Sequence, residues 1–476
     1  MTNFESSKAV KLELFNFKSI PTRTFWITSF SFFLCFFAWF GIVPFMPDVV
    51  KDLGLTPDKK WNSVILGVSG TVFARLLIGK LCDKYGPRLC YTWLLILGAI
   101  PVIACGLVET PFQFLVCRLF IGFIGASFVI TQVHTSLMFA PNVVGTANAT
   151  SAGWGNLGGG ANRLGMPLIA AMVVGFGIAE AEAWRYSMIF AGVICFLMGF
   201  VYFFFTQDTP AGNFKELKAS GKLVGTKKDQ VGFIKVLRDY RVWILFLVYA
   251  ACFGIELTVY GTMDDYLQNT FQINRISAGN IVLSFALMNI FARTLGGYFG
   301  DKFGKSKGLH GRVLFLSCIL ALQGIILVTF SGITSIFFGI LFLILFSLAV
   351  QMAEGATFSV VPFINKKAIG SVSGIVGAGG NVGAFFAALL LKYKSAMAEE
   401  AAIAAHEGLS DEAISAAQSL ASATAVSNGY LLIGCLVVIT AISALAIRFY
   451  REDDEASTEN KNLESLGTLM PIKVEK

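Results

Sequence analysis

Charge is what this sequence has least of. Only 14% of its 476 residues are Asp, Glu, Lys or Arg, against 55% hydrophobic residues, and the mean hydropathy is +0.69. So few charges cannot cover a soluble globule, and the composition points instead to a chain that crosses a membrane many times. Histidine is nearly absent, with three residues. The nine cysteines are scattered through apolar runs or near their ends without ligand spacing, which argues against a metal site or a disulfide framework. No phosphate loop or catalytic constellation stands out, and the GxGxxG-like matches lie inside hydrophobic runs with no βαβ context. Neither an enzyme nor a cofactor is expected. The net charge of +7 would suggest nucleic acid in a soluble protein. Here the basic residues occupy short loops and set membrane orientation, so no nucleic-acid partner is expected. A short cleavable signal pattern is also missing, because the polar segment to Thr24 leads straight into a full-length span.

What is present is a series of apolar runs of about 20 residues. Twelve are read, at 25–47, 61–80, 89–108, 111–138, 144–175, 184–206, 241–266, 277–299, 312–331, 334–363, 368–391 and 428–449. They imply an all-α membrane protein whose only bulk partner is the lipid bilayer. The expected organisation is an N-terminal segment 1–24, a six-helix bundle 25–206, a basic linker 207–240, a second bundle 241–449 and a tail 450–476. The linker carries Lys215, Lys218, Lys222, Lys227, Lys228, Lys235 and Arg238, and the turns at 80–88 and 300–312 are also basic. The positive-inside rule then puts both termini and the linker in the cytoplasm. An Ala-rich, acidic insert at 392–427, broken at Gly408-Leu409-Ser410-Asp411, suggests two short amphipathic helices outside the membrane that decorate the surface.

Two apolar runs each contain an arginine in near-identical surroundings. The first reads Phe73-Ala74-Arg75-Leu76-Leu77-Ile78-Gly79, then Asp83 and Gly86; the second reads Phe291-Ala292-Arg293-Thr294-Leu295-Gly296-Gly297, then Asp301 and Gly304. They repeat at one offset, 293 − 75 = 218, close to half the chain. A guanidinium at this depth costs roughly 2.5–3.5 kcal/mol on insertion scales, which makes it a functional candidate by default. Two related by a repeat suggest a symmetric pocket for an anion. A second duplication pairs Gly153-Trp154-Gly155-Asn156-Leu157-Gly158-Gly159-Gly160 with Gly377-Ala378-Gly379-Gly380-Asn381-Val382-Gly383-Ala384. Glycine is costly inside a helix, so the expected gain is a smooth surface on which helices slide and backbone exposed to a small ligand.

Halves repeated in parallel with substrate between them are the major-facilitator design. Gly79-Lys80-Leu81-Cys82-Asp83-Lys84-Tyr85-Gly86-Pro87-Arg88 resembles that superfamily's loop after the second span, while the second copy is partial, with Ser306 where Arg88 stands. Arg118-Leu119-Phe120-Ile121-Gly122-Phe123-Ile124-Gly125 resembles its span-four motif. Asp83, Arg88 and Arg118 are therefore assigned to gating and helix packing. The doubled glycine runs, with Gly153, Gly155, Gly158 and Gly159 matched by Gly379, Gly380 and Gly383, resemble the two signatures of the nitrate/nitrite porter family. Phe253-Gly254-Ile255-Glu256-Leu257-Thr258 and Glu354-Gly355-Ala356-Thr357-Phe358 resemble its high-affinity nitrate-uptake branch.

The resemblance implies a fold of two pseudo-symmetric six-helix bundles in the cell (inner) membrane, working as a monomer. It assigns Arg75 and Arg293 as a clamp on nitrate, since planar guanidinium forks suit flat oxyanions better than a lysine point charge. It points to Tyr249, Phe253 and Phe128 as pocket walls. Asn156 and Asn381 either donate amide hydrogens to the anion or hold the glycine helices in register. Arg163, unexpected for the family, is read as snorkelling or paired with an acid in preference to serving anion entry. Importing an anion against an inside-negative potential needs protons or an exchanged anion, each charge being worth about 2.3 kcal/mol per 100 mV. Glu256 is the preferred proton carrier, with Glu354 next and His134 behind. Proton-coupled nitrate import is expected; nitrate/nitrite antiport is the alternative, and a sensor or channel stands further off.

Overall fold

The computed structural model describes residues 7–221, 233–406 and 410–449. Lys222, Lys227 and Lys228 of the linker, the Gly408-Leu409 break and the tail 450–476 lie outside them. The described chain is almost wholly helical, because a lipid-embedded backbone must satisfy its own N–H and C=O groups. Spans one to six are the helices Ile20–Phe40, Pro57–Tyr85, Pro87–Cys105, Pro111–Met138, Val144–Gly175 and Ala183–Phe205. Span seven covers 240–271. Spans eight and nine run into one another through Lys307 and Gly308, where φ of +65° at Gly308 turns the chain. Spans ten to twelve are Ile336–Phe363, Ile369–Ala405 and Asp411–Ala444.

Local chemistry explains the ends. Spans two, three and four start on Pro57, Pro87 and Pro111, whose missing N–H is no loss in the first turn. Thr110 and Gln113 form a capping box, satisfying two orphan donors reciprocally. Span one begins earlier than the apolar run, at Ile20, and ends at Phe40, with two short helical pieces continuing to Leu53. Pro44 and Pro47 within the run 25–47 remove the donors a continuous helix needs.

The insert at 392–427 is corrected by the structure. It is not two separate short helices: span eleven continues unbroken to Ala405, and span twelve already begins at Asp411. Thirty-seven residues in span eleven at about 1.5 Å each make a helix longer than the roughly 30 Å hydrocarbon core. Alanine, the best helix former, lets the span propagate with no apolar stripe to bury. Ser395 bonds Glu399 at 3.0 Å and meets Ser422 of span twelve, tying the hairpin together.

Spans one to six pack among themselves, as do seven to twelve, and the halves meet where span two lies on span eleven and span five on span eight. Large apolar side chains such as Phe73, Phe112, Leu168 and Phe337 face outward, which only a bilayer tolerates at this density. An apolar cavity of about 840 Å³ between spans two, three and four, lined by Leu77, Trp93, Leu97 and Phe120, belongs to this surface.

Candidate functional site

Three interruptions of helix geometry converge where the halves meet. Span four tightens to a 3-10 turn over Gly122–Ala126, span seven carries a π turn over Ala250–Gly254, and span eight breaks at Met288–Ile290. Such turns re-aim side chains and free carbonyls, and they recur at functional sites. Gly125, Phe253 and Arg293 lie in or beside them.

Arg75 is fully buried. Its Nε donates to the Gly125 carbonyl at 3.2 Å and its Nη1 to the Gly377 carbonyl at 2.5 Å, the latter across the two halves. Its Nη2 finds no partner among the described residues. The guanidinium carbon lies 5.1 Å from the Phe128 ring centroid and 5.5 Å from that of Phe253. Arg293, 1% exposed, lies 5.9 Å from the same Phe253 ring. The repeated arginines thus meet about one aromatic ring.

They are not equivalent, and the symmetric clamp read from the repeat needs correction. Arg293 Nη2 is in direct ion-pair contact with Glu354 and lies 3.4 Å from Glu256 Oε2. The Asn156 amide oxygen, oriented to satisfy both groups, accepts from Nη1 at 2.5 Å and Nη2 at 2.7 Å. Asn289 and Gln351 donate to Glu256 Oε1 at 3.1 and 3.4 Å. One arginine is held by two acids and the other by carbonyls. The cause is visible in the sequence once known: positions 31–38 and 129–136, the first-half counterparts of Glu256 and Glu354 at offsets of 218 to 225, contain no acid.

Phe128, Tyr249 and Phe253 form a nearly parallel set, with interplanar angles of 14°, 10° and 5°. Phe358, which the sequence reading did not single out as a wall, closes edge-on against Phe128 at 4.9 Å and Tyr249 at 5.1 Å. The Tyr249 hydroxyl and both amide atoms of Asn381 are buried without a partner among the described residues. Each such atom costs about 1–3 kcal/mol. The Tyr249 hydroxyl, a neighbour of both arginines, the Asn381 amide N–H and the open Arg75 edge are donors that a small oxyanion can satisfy. The two asparagines therefore differ, Asn156 bonding Arg293 and Asn381 remaining open.

The glycines work chiefly inside each half. A Cβ on Gly155 would sit 1.8 Å from the Phe32 ring, and one on Gly158 2.1 Å from the Phe33 carbonyl; Gly159 faces Phe40. On span eleven, Gly379 abuts the Phe246 carbonyl, Gly380 the Phe253 and Tyr249 rings, and Gly383 the Ala250 carbonyl. Spans five and eleven are thereby pressed onto spans one and seven, which seats the aromatic walls. Gly153 alone of this set faces the other half, at Asn289. Glycine lets the two halves approach closely instead at Gly79 against Gly370 and Gly297 against Gly145, pairs in which a Cβ would come within 2.3 Å and 2.2 Å of the opposing carbonyl.

Those contacts border a matched pair of locks at the linker end. Asp83 accepts from the Gly370 and Ser371 amides, both at 2.8 Å, and the Ser371 hydroxyl at 2.6 Å. Asp301 accepts from the Gly145 amide at 3.0 Å and the Thr146 amide and hydroxyl at 2.6 Å. Each carboxylate caps the N-terminus of a helix in the other half, where the dipole favours negative charge. The sequence signal missed here is that Gly145-Thr146 and Gly370-Ser371 share the 225-residue offset of Asn156 and Asn381. Arg88 is no part of the lock, since it donates to the Phe203 carbonyl. Its counterpart in the second half, shifted by the longer turn to an offset of 312 − 88 = 224, is Arg312, which does join the lock, 2.5 Å from Asp301. Arg118 donates to the Trp39 carbonyl at 3.3 Å and packs the first half. Arg312→Ala leaves Asp301 buried without its counter-charge, a change that costs about 3–5 kcal/mol. A marked fall in the thermal unfolding midpoint in detergent is expected, and an unchanged midpoint would count against the lock.

His134 lies away from the arginines, between the Tyr202 hydroxyl at 2.5 Å and the Gln207 carbonyl at 2.8 Å. Arg163 pairs with Asp264 of span seven at 3.4 Å, both partners about 30% exposed, and so joins the halves at the end opposite the linker. Pairs this exposed contribute little energy.

A twelve-span bundle built from two repeats, with a buried polar cluster between them, has the layout of a membrane transporter. Residues 28–388 match the family model of the Major Facilitator Superfamily. Among relatives, the "High affinity nitrate transporter 2.5" of Arabidopsis thaliana is 38% identical over 83% of this chain and 79% of its own. The "Nitrate/nitrite transporter NrtP" of Picosynechococcus sp. is 30% identical over 75% of this chain and 82% of its own. In fold, the chain is similar to the proton:xylose symporter XylE, with a TM-score of 0.63 at 13% identity, covering 89% of this chain and 94% of that one. The chain therefore belongs to the major facilitator superfamily and, within it, to the family of these nitrate and nitrite transporters. It is a multi-pass membrane protein of a transporter family, not an enzyme.

Proposed function

We propose that the protein imports nitrate by alternating access, driven by protons, and accepts nitrite at the same site. The observation that carries this reading is the pair of buried arginines about the Phe253 ring. Beside them the Arg75 Nη2, the Tyr249 hydroxyl and the Asn381 amide lack partners among the described residues. Nitrate is flat, singly charged and weakly basic; a guanidinium edge with aromatic faces on either side fits its shape, and a larger anion would not enter between the walls. The names of the relatives agree with this substrate.

Glu256 and Glu354 favour symport over exchange. Two arginines and two carboxylates make a cluster of zero net charge, so an added anion calls for an added cation, which a proton supplies. Nitrate/nitrite antiport is the second reading. The lysines of the linker end support a cytoplasmic side for that end and both termini, in the cell membrane. One chain contains a complete site, so we expect the monomer to transport.

Labelled-nitrate uptake into proteoliposomes tests this. An inward proton gradient should raise accumulation several-fold over a pH-matched control, whereas internal nitrite alone should not. Uptake that depends on internal nitrite and ignores the pH gradient would establish antiport. Counterflow without either gradient separates a carrier from a channel.

A further inference from the structure

We propose that Glu354, in preference to Glu256, is the proton acceptor of the site, and that the proton acts by freeing Arg293 for the anion. This rests on the symport reading above.

The argument starts from a hydrogen count. Arg293 Nη2 carries two N–H groups, yet three acceptors crowd it: Glu354, Glu256 and the Asn156 oxygen. Nε of Arg293 has no partner among the described residues, but a substrate seated on the Nη2 edge displaces one of these three acceptors. Glu256 keeps two amide donors, Asn289 and Gln351, if it loses Arg293. Glu354, 1% exposed, has no other donor among the described residues on either oxygen. Its ionised form depends on Arg293 alone. If nitrate takes that edge of Arg293, Glu354 is left as a buried unpaired charge unless it binds a proton.

The surroundings supply no substitute. Glu354 meets Arg293 of span eight, and the other charged and titratable groups about that arginine are Glu256, Tyr249 and Cys252 of span seven. Arg75 of span two lies beyond the Phe253 ring. Cys252 is turned to the Thr357 hydroxyl, one turn along span ten. The neighbouring Glu256 makes a second buried negative charge harder to sustain.

The step is a proton addition to one carboxylate oxygen of Glu354, with no covalent change in nitrate. Arg293 then turns its freed N–H toward the space beside Phe253, opposite the open edge of Arg75, and the loaded cluster again has zero net charge. Binding of the two ligands is reciprocal. A proton raises the affinity for nitrate, and nitrate draws a proton onto the protein. On this proposal the same pairing opposes slip. The empty, deprotonated site is internally neutral, while a site holding nitrate without the proton has an uncompensated buried charge.

The test uses the full chain. In wild-type proteoliposomes the nitrate KM should rise with pH, by no more than tenfold per unit for one linked proton. Glu354→Gln should lose accumulation driven by a pH gradient and show a flat KM, while nitrate exchange persists. Glu256→Gln should keep the pH dependence of KM. A variant-free measurement guards against misfolding: nitrate added to the wild type in weakly buffered detergent should take up protons, approaching one per anion. Proton-driven accumulation by Glu354→Gln, or a flat KM in Glu256→Gln alone, would overturn the assignment and leave symport standing. Absence of both gradient-driven accumulation and proton uptake in the wild type would overturn symport, and the assignment with it.

Discussion

Arg75→Lys is expected to lower nitrate uptake by about two orders of magnitude while the protein still inserts and elutes as a single species. Arg75 occupies two of its three nitrogens on the carbonyls of Gly125 and Gly377, leaving the Nη2 edge open to substrate. A lysine ammonium is a compact point charge on a flexible stem and cannot hold two divergent carbonyls while presenting a flat edge. At least one carbonyl is then left unsatisfied, and the anion loses a charge-assisted bond. Together these amount to about 3 kcal/mol, which is roughly a hundredfold. Arg293→Lys should fail comparably, because lysine cannot serve two carboxylates, Asn156 and the anion in turn. Tracer uptake with surface-expression control is the measurement; normal uptake by Arg75→Lys would remove the anion site from this position.

Gly297→Val should abolish uptake altogether. A Cβ at Gly297 would stand 2.2 Å from the Gly145 carbonyl and 2.5 Å from the Ala149 methyl. Those are fixed atoms of the opposing helix, and close-packed interiors do not yield by an ångström. Spans five and eight must then part at the linker end, which strips Asp301 of the Gly145 and Thr146 donors. Transport stops because one of the two end states can no longer close. Hydrogen exchange should accelerate at 144–149 and stay slow in the buried core of span ten. Gly175→Ala, where a Cβ meets nothing within 4 Å, is the matched control and should transport normally. Uptake by Gly297→Val would show that the halves need not touch here.

The limits of the sequence reading follow from particular residues. The duplicated arginines were legible because a repeat is a pattern in one dimension. The acids that split them were legible only as isolated glutamates, since nothing in a linear pattern says that Glu256 and Glu354 reach the same guanidinium from spans seven and ten. Arg312 escaped because the longer turn of the second half shifts the offset from 301 − 83 = 218 to 312 − 88 = 224, so that a single offset sets Ser306, not Arg312, against Arg88. The signature glycines were read as a sliding surface, yet which neighbour a helix presses against depends on its rotation. Composition cannot supply that angle.

By itself the sequence determined the solvent, the number of crossings, the two-fold repeat and the presence of guanidinium groups where an anion could meet them. All of these depend on composition and periodicity along the chain, and a bilayer leaves a chain this apolar few alternatives. The tertiary structure decided which arginine is free and which is held, which asparagine is open, and which glutamate has no second donor. Those distinctions depend on contacts between residues as many as 302 positions apart, and only packing sets their distances.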